Sequence, residues 1–203
     1  MGKLIVTEFM TLDGVAQAPG GPDEDGEGGF VHGGWQAPVA DPEAADVVFE
    51  EAARMEALLL GRKTYEIFAG YWPSAPKESP FARLLNDVPK FVVSRTLESP
   101  LTWQGSTLLS DDLTESITAL KGRHEEVHVI GSLNLLQSLL RFGLVDQMNL
   151  WLYPLLLGSG KRVFADGTVP AALRLIESVT YPSGGLHLTY ETAGVPMYAN
   201  MGA

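Results

Sequence analysis

Two segments of the chain place a glycine between an apolar run and the start of a helix, an arrangement that suits phosphate binding. In the first, the leucines at 58–60 lead into residues 61–64, which read Gly-Arg-Lys-Thr. In the second, the largely apolar run 127–130 leads into Gly131 and Ser132. A strand that turns on glycine into a helix leaves free backbone N–H groups at the positive end of the helix dipole. Two such turns predict a ligand with separated phosphates, such as a dinucleotide.

The segment 61–64 also carries side chains that can hold a phosphate. Arg62 can form a bidentate, charge-assisted fork, and the Thr64 hydroxyl adds a donor. An ordinary turn, with Arg62 and Lys63 in solvent and Thr64 capping the helix, is the alternative and stays open.

A third candidate contact follows the apolar segment 91–93, where Ser94 and Arg95 stand side by side. Ligands of parallel sheets collect at the carboxyl ends of strands, and a fixed cation there suits the 2′-phosphate of NADP. A surface turn is the alternative.

Gly131 and Ser132 do not continue as G-x-G-x-x-G, so the Rossmann fingerprint is absent. Close packing of helix on strand is the alternative at that turn.

Composition excludes several classes of partner. Lys and Arg total 14 and Asp and Glu total 25, which gives a net charge of −11. We therefore expect neither nucleic acid nor anionic membrane as a partner. The chain has no cysteine, and the spacing of its histidines is not that of metal ligands, so we expect no metal site. No apolar run approaches the roughly 18 residues of a membrane span.

The order of elements predicts an α/β domain. Strand-like and helix-like segments alternate to about residue 150 and are followed by strands alone, which predicts a mostly parallel sheet flanked by helices with an antiparallel hairpin at the end. We assign one domain to residues 1–193, a glycine-rich loop at 11–35 acting as a mobile, solvated lid, and a tail at 194–203. The N-terminus is typical of a first strand rather than a signal peptide, and we expect a cytoplasmic protein.

These residues resemble the dihydrofolate-reductase-like fold, and more closely the reductase domain of bacterial riboflavin biosynthesis and its stand-alone relatives. The resemblance extends from Ile5 to about Glu191. It rests on five motifs: Thr11-Leu12-Asp13-Gly14, Gly61-Arg62-Lys63-Thr64, Val129-Ile130-Gly131-Ser132, Gly143-Leu144-Val145-Asp146, and Tyr153-Pro154-Leu155-Leu156-Leu157-Gly158-Ser159-Gly160.

The resemblance implies NADPH as cofactor and a pterin or an aminopyrimidine as substrate. It implies that Gly61, Arg62 and Thr64 contact phosphates and ribose, and that Ser94 and Arg95 hold the 2′-phosphate. The pyrophosphate would lie on Gly131, Ser132, Leu133, Asn134 and Leu135. Thr11 and Asp13 would lie near the nicotinamide, with Asp13 or water supplying the proton, and the loop ending at Trp35 would close over the substrate.

The chain departs from the family pattern at specific positions. Ile130 stands where riboflavin-pathway reductases carry a glutamate, and Ser132 replaces the second glycine of a pair. The acid of dihydrofolate reductases falls on Ala45, next to Asp46, and their pocket phenylalanine falls on Phe49. Asp46 and Phe49 are therefore our candidate substrate contacts on the first helix.

Two functional hypotheses follow. The first is an NADPH-dependent reductase that transfers hydride to a small planar heterocycle. The second is a non-catalytic nucleotide-binding relative with a sensing or regulatory role, and a flavin or antifolate binder is a third idea. We also expect a homodimer, formed by the apolar segment 148–156 with Trp151 and Tyr153.

Overall fold

The computed structural model describes residues 1–202 and contains one eight-stranded sheet flanked by helices. The strands are β1 (Lys3–Thr11), β2 (Ala57–Gly61), β3 (Lys90–Val93), β4 (Ser106–Leu109), β5 (Glu126–Ile130), β6 (Gln147–Tyr153), β7 (Leu173–Thr180) and β8 (Leu186–Thr192). The α-helices are α1 (Pro42–Ala52), α2 (Arg62–Tyr71), α3 (Pro80–Asp87), α4 (Leu113–Arg123) and α5 (Leu133–Arg141). No helix within residues 1–202 has the length and apolar character needed to cross a bilayer.

The strand order is β4-β3-β2-β5-β1-β6-β8-β7. The first six strands run parallel, and β8 and β7 are antiparallel additions at one edge. The predicted fold class, a mostly parallel sheet with a C-terminal antiparallel hairpin, is confirmed.

Each face of the sheet has its own core, because side chains alternate along a strand. On one face, Leu4 and Val6 of β1 pack with Leu136 and Leu139 of α5. On the other face, Trp151 and Tyr153 of β6 pack in a cluster that includes α1. Helix α1 begins as its sequence predicts, since the Asp41 side chain accepts from the Glu43 N–H at 3.0 Å and Pro42 occupies the first helical position.

Neighbouring strands separate where the sheet meets the candidate site. The pairing of β2 with β5 ends at Leu58 and His128, although β2 continues to Gly61. The pairing of β1 with β5 ends at Thr7 and Ile130, although β1 continues to Thr11. The carboxyl ends of β2, β5 and β1 therefore diverge and leave room for a ligand.

The glycine-rich loop 11–35 is packed against the domain rather than solvated throughout. Val15, Ala18 and Trp35 are buried, and the Trp35 indole N–H donates to the Gln17 carbonyl at 2.8 Å. The Gln17 amide in turn donates to two carbonyls further along the same loop, each at 3.0 Å. The prediction of a solvated loop is wrong at these positions, because apolar side chains between the glycines reach the core.

Strand β6 cannot form a dimer surface as predicted. It lies between β1 and β8, and its Trp151 and Tyr153 side chains are only 2% and 5% exposed. Apolar side chains that solvent does reach include Leu156, after the end of β6, and Leu175 and Ile176 of the edge strand β7.

Candidate active site

A cleft of about 1110 Å³ opens at the diverging strand ends. Ten of the sequence-predicted ligand contacts line it: Gly61, Arg62, Thr64, Ser94, Arg95, Gly131, Ser132, Leu133, Asn134 and Leu135. The structure thus brings together three segments that lie far apart in the chain, and all of them are carboxyl-terminal to parallel strands.

The two glycine turns are joined by a reciprocal pair of hydrogen bonds. The Gly61 N–H donates to Ser132 Oγ at 3.0 Å, and the Ser132 N–H donates to Thr64 Oγ1 at 3.0 Å. Gly131 and Ser132 both have a φ of +63°, a left-handed conformation that costs a non-glycine residue energy. The hydrogen bonds hold Ser132 in that conformation, so the two turns form one rigid unit.

This unit presents two helix N-termini to the cleft. In α5 the first intrahelical donor is the Leu136 N–H, which bonds the Ser132 carbonyl at 2.9 Å. The N–H groups of Leu133, Asn134 and Leu135 precede it and have no carbonyl within the helix to bond. Helix α2 begins directly at Arg62 and exposes its first N–H groups in the same way. The pair of termini is suited to an anion such as a pyrophosphate.

Basic side chains lie near these helix N-termini, but several of them already form ion pairs with carboxylates. Arg62 contacts Glu66 at 3.0 Å. Lys63 lies 3.9 Å from Asp25 and 3.7 Å from Glu27, both in the glycine-rich loop. Lys161 makes shorter contacts to the same two carboxylates, at 2.7 and 2.6 Å. The acidic part of the loop is therefore held at the rim of the cleft by two lysines.

Ser94 and Arg95 are adjacent in the chain but lie in different environments at the cleft. Ser94 is buried, and its Oγ accepts from the N–H groups of Thr96 at 3.1 Å and Leu97 at 3.0 Å. It therefore stabilises the turn after β3. Arg95 is exposed at the wall of the cleft, where its guanidinium is available to an anionic ligand.

Asp13, the predicted proton donor, lies outside the cleft lining. Its carboxylate accepts from Thr11 Oγ1 at 2.6 Å and from the N–H groups of Leu157 and Gly158 at 3.2 and 2.7 Å. These hydrogen bonds, that from Thr11 foremost, lower the pKa of Asp13. Asp13 and Thr11 thus join the end of β1 to the loop after β6. An ionised carboxylate held by these hydrogen bonds is not a proton donor, and this corrects the predicted role of Asp13.

The other three predicted substrate contacts also lie outside the lining. Trp35 is buried against Tyr153, with ring centroids 5.7 Å apart. Phe49 packs edge-on against Phe81 at 5.3 Å, and Asp46 is exposed to solvent. Their positions on α1 and the loop are near the site, but their side chains support its walls or face away.

Helix α1 instead contributes Glu51, a residue that sequence reasoning missed. Glu51 lines the cleft together with Ala44 and Val48 of the same helix. Burial raises the pKa of Glu51 to about 7, although Arg54 opposes the shift. Its Oε1 lies 3.3 Å from His187 Nε2, without the alignment of a hydrogen bond, and its Oε2 has no hydrogen-bond partner within residues 1–202. The signal was available, because 44, 48 and 51 share one helical face.

A second missed carboxyl, Glu8, stands in the middle of β1. The residue is 1% exposed and lines the cleft. Burial raises the pKa of Glu8 to about 8, and its Oε1 has no hydrogen-bond partner among the residues that the structure describes. A glutamate among apolar residues of a buried strand was the visible signal. Buried carboxyls with strongly raised pKa values in a cleft are typical of functional sites.

Comparison with known proteins gives a family match over almost the whole chain. Residues 2–187 match the RibD C-terminal domain family. Among curated proteins, the uncharacterized protein YyaP of Bacillus subtilis is 26% identical over 196 residues, which cover 95% of this chain and 96% of YyaP.

Solved structures show the same fold. A protein of Shewanella sp. PV-4 provisionally placed in riboflavin biosynthesis aligns with a TM-score of 0.73 and 23% identity, over 94% of this chain and 99% of that one. A deaminase/5-amino-6-(5-phosphoribosylamino)uracil reductase of Thermotoga maritima aligns with a TM-score of 0.64 and 16% identity, over 95% of this chain and 57% of that one. The predicted resemblance to the reductase domain of riboflavin biosynthesis is confirmed.

Proposed function

The chain belongs to the RibD C-terminal domain family, and from this premise we propose that it is an NADPH-dependent reductase of a small planar heterocycle. The observation that carries the proposal is the rigid unit formed by Gly61, Thr64 and Ser132, which places the N-termini of α2 and α5 side by side at the cleft. A dinucleotide needs such paired anion sites.

The residues present fit the cofactor. The N–H groups that open α5 would hold the pyrophosphate, and Arg95 would pair with the 2′-phosphate beyond the end of β3. The Thr64 hydroxyl accepts from Ser132, so its own proton is free to donate to a phosphate or ribose oxygen. When bound, NADPH supplies a hydride.

The part of the cleft under α1 suits the substrate. Ala44 and Val48 offer apolar wall, and Tyr153 and Gln36, whose amide donates to the tyrosine hydroxyl at 2.7 Å, offer polar groups at one end. A flat ring fits between such walls with its heteroatoms directed to the polar end. Pterins and aminopyrimidines of the riboflavin type have this shape and polarity.

Glu51 is the proposed proton donor. A pKa of about 7 keeps a large fraction of the carboxyl protonated near neutral pH, which is the condition for a general acid. The neighbouring His187 does not compete for this role, because burial lowers its pKa. A hydride delivered to a ring C=N carbon would be matched by the proton of Glu51 on the nitrogen.

A second function, a nucleotide-binding relative without turnover, is favoured by one observation. Lys63 and Arg62, which could contact a phosphate, already pair with Glu27 and Glu66. The two functions separate in an assay that follows NADPH oxidation with a panel of pterins, aminopyrimidines and ribosylaminouracils. Turnover of any of these, lost in Glu51→Gln and retained in Glu50→Gln, supports the reductase. Tight NADPH binding with no turnover across the panel supports the sensor.

We also propose that the protein is a homodimer in the cytoplasm. The second copy would contact β7, and not β6 as the sequence predicted. The exposed Leu175 and Ile176 of β7 form an unpaired, apolar sheet edge of the kind that is normally covered. Light scattering on the wild type and on Ile176→Lys tests this: a dimeric mass that falls to the monomer in the variant supports it, and a monomeric wild type contradicts it.

A further inference from the structure

Glu8 has no role in the proposed chemistry and yet lies in the site. Its carboxyl is buried, lines the cleft, and has an oxygen with no hydrogen-bond partner in the described part of the chain. Burying a polar atom without a hydrogen-bond partner destabilises the folded state. Such a cost is ordinarily offset by a bound ligand or a functional gain.

The strand register shows what Glu8 faces. Thr7 is the last residue of β1 that pairs with β5, and its carbonyl accepts from the Gly131 N–H at 3.2 Å. Glu8 follows immediately, opposite Leu150 of β6. It therefore stands where β5 has turned away into the Gly131-Ser132 turn, beside the proposed pyrophosphate site.

The two carboxyls occupy opposite faces of the sheet. Glu8 shares its face with Leu4 and Val6, since side chains two residues apart point the same way, and that face packs on α5. Glu51 lies on the face covered by α1, near Trp151 and His187. The carboxyl of Glu8 thus belongs to the cofactor half of the cleft, and Glu51 belongs to the substrate half.

A neutral carboxyl has a specific complement. Its O–H donates and its C=O accepts, side by side, so it pairs through two hydrogen bonds with a planar amide that offers an N–H and a C=O. Burial without a nearby cation favours this neutral form, as the raised pKa of Glu8 shows. An ionised carboxylate could accept only, and would repel the adjacent phosphates.

We propose that Glu8 binds the carboxamide of the nicotinamide ring and so fixes which face of that ring is turned to the substrate. The inference rests on the proposed function, since it assigns part of the same cofactor site. The group that Glu8 would recognise is a planar amide. The nicotinamide carboxamide offers an N–H and a C=O, and a cyclic amide in a uracil or pterin substrate offers the same two groups. The position of Glu8 beside the α5 turn favours the cofactor as the source.

The test is a calorimetric comparison of wild type, Glu8→Leu and Glu8→Gln with three ligands. These are NADPH, its acetylpyridine analogue, in which a methyl ketone replaces the carboxamide, and adenosine 2′,5′-bisphosphate, which lacks the nicotinamide half. Glu50→Gln, on the exposed side of α1, is the control. Melting temperatures establish that each variant is folded.

We expect Glu8→Leu to weaken NADPH binding about tenfold or more, the effect of losing roughly 1.4 kcal/mol. Adenosine 2′,5′-bisphosphate should bind the variant as it binds the wild type. Glu8→Gln keeps one donor and one acceptor and should retain most of the affinity. The acetylpyridine analogue should bind the wild type more weakly than NADPH does, and Glu8→Leu should remove that difference.

Other outcomes overturn the assignment in distinguishable ways. If Glu8→Leu binds NADPH normally but raises the substrate KM, the amide belongs to the substrate. If Glu8→Leu changes neither the affinity for NADPH nor the substrate KM, Glu8 binds no amide. If the wild type binds neither NADPH nor adenosine 2′,5′-bisphosphate, the proposed function itself fails and the inference fails with it.

Discussion

Gly61 and Ser132, which are 71 positions apart in the chain, meet in a 3.0 Å hydrogen bond from the backbone N–H of one to the side-chain oxygen of the other. This bond joins the turn after β2 to the turn after β5 and fixes the spacing of two helix N-termini. The two turns are packed together, because a Cβ on Gly61 would be in van der Waals contact with Leu135 Cβ, at 3.4 Å. The account of a dinucleotide site depends on this spacing.

Ser132→Ala tests the coupling of the turns. The substitution removes the acceptor for the Gly61 N–H and leaves Ser132's left-handed backbone without side-chain support. We expect a loss of about 1 kcal/mol in the free energy of unfolding, together with weaker NADPH binding because the helix termini lose their fixed spacing. Chemical denaturation and calorimetry measure the two effects. Thr114→Val on the exposed side of α4 is the control, and equal behaviour of the two variants would contradict the coupling.

Arg62→Ala tests the contact to phosphate. We expect NADPH binding to weaken by about 1.5–3 kcal/mol, the range of a lost charge-assisted contact. Because Arg62 pairs with Glu66 at 3.0 Å, Glu66→Gln should free the guanidinium and strengthen binding by about twofold, since an exposed pair of this kind is worth only a few tenths of a kcal/mol.

Arg83→Ala, an exposed arginine of α3 outside the cleft lining, controls for the change of net charge in that experiment. Unchanged NADPH affinity in Arg62→Ala would place the phosphate elsewhere. A loss in Arg83→Ala equal to that in Arg62→Ala would make the effect one of overall charge.

The pH dependence of turnover tests Glu51. A general acid acts in its protonated form, so the rate should fall as the pH rises through the Glu51 pKa of about 7. Glu51→Gln cannot donate this proton, and we expect kcat to drop by about a hundredfold or more with the affinity for NADPH retained. The variant should also lose the titration step near neutral pH. A wild-type rate that is flat from pH 6 to pH 8 would contradict the assignment.

Unfolding measured against pH tests the burial of Glu8. Its pKa is raised in the folded protein from an ordinary value of 4.5 to about 8, so the folded state holds a proton that the unfolded state releases. The free energy of unfolding should therefore fall as the pH rises across that window, by about 1.4 kcal/mol per unit for this group. Glu8→Gln carries no such proton, and we expect it to match the wild type near pH 4.5 and to exceed it near pH 8.

The difference between the two curves isolates Glu8, because other titrating groups are common to both proteins. Parallel curves for wild type and Glu8→Gln would show that Glu8 is ionised and solvated in the folded state. That result would also remove the neutral carboxyl on which the amide pairing depends.

The sequence was sufficient for the order of the elements and for the residues that line the proposed phosphate-binding half of the cleft. Glycines, helix caps and apolar runs are local signals, and Gly61 and Gly131 lie where those signals place them, at the ends of β2 and β5. Parallel strands then bring their carboxyl ends together whatever their distance in the chain.

The role of Asp13 and the packing of the glycine-rich loop depend on contacts that a local sequence pattern does not reveal. Asp13 looked like a proton donor beside the first strand, but its partners are the N–H groups of Leu157 and Gly158, 144 and 145 positions away. Trp35 looked like the end of a solvated lid, but its indole N–H bonds Gln17 within a buried part of the loop. The helical spacing of 44, 48 and 51 puts Glu51 on one face of α1, and the three-dimensional packing shows that this face, rather than that of Asp46, lines the cleft.

Calorimetric titration with NADPH and, separately, with NADH tests the central claim most directly. The account predicts micromolar binding of NADPH to the helix termini of α2 and α5, with NADH much weaker because Arg95 then has no 2′-phosphate to pair with. Binding of neither nucleotide would contradict the account, since it would leave the cleft that Gly61 and Ser132 line to a different ligand.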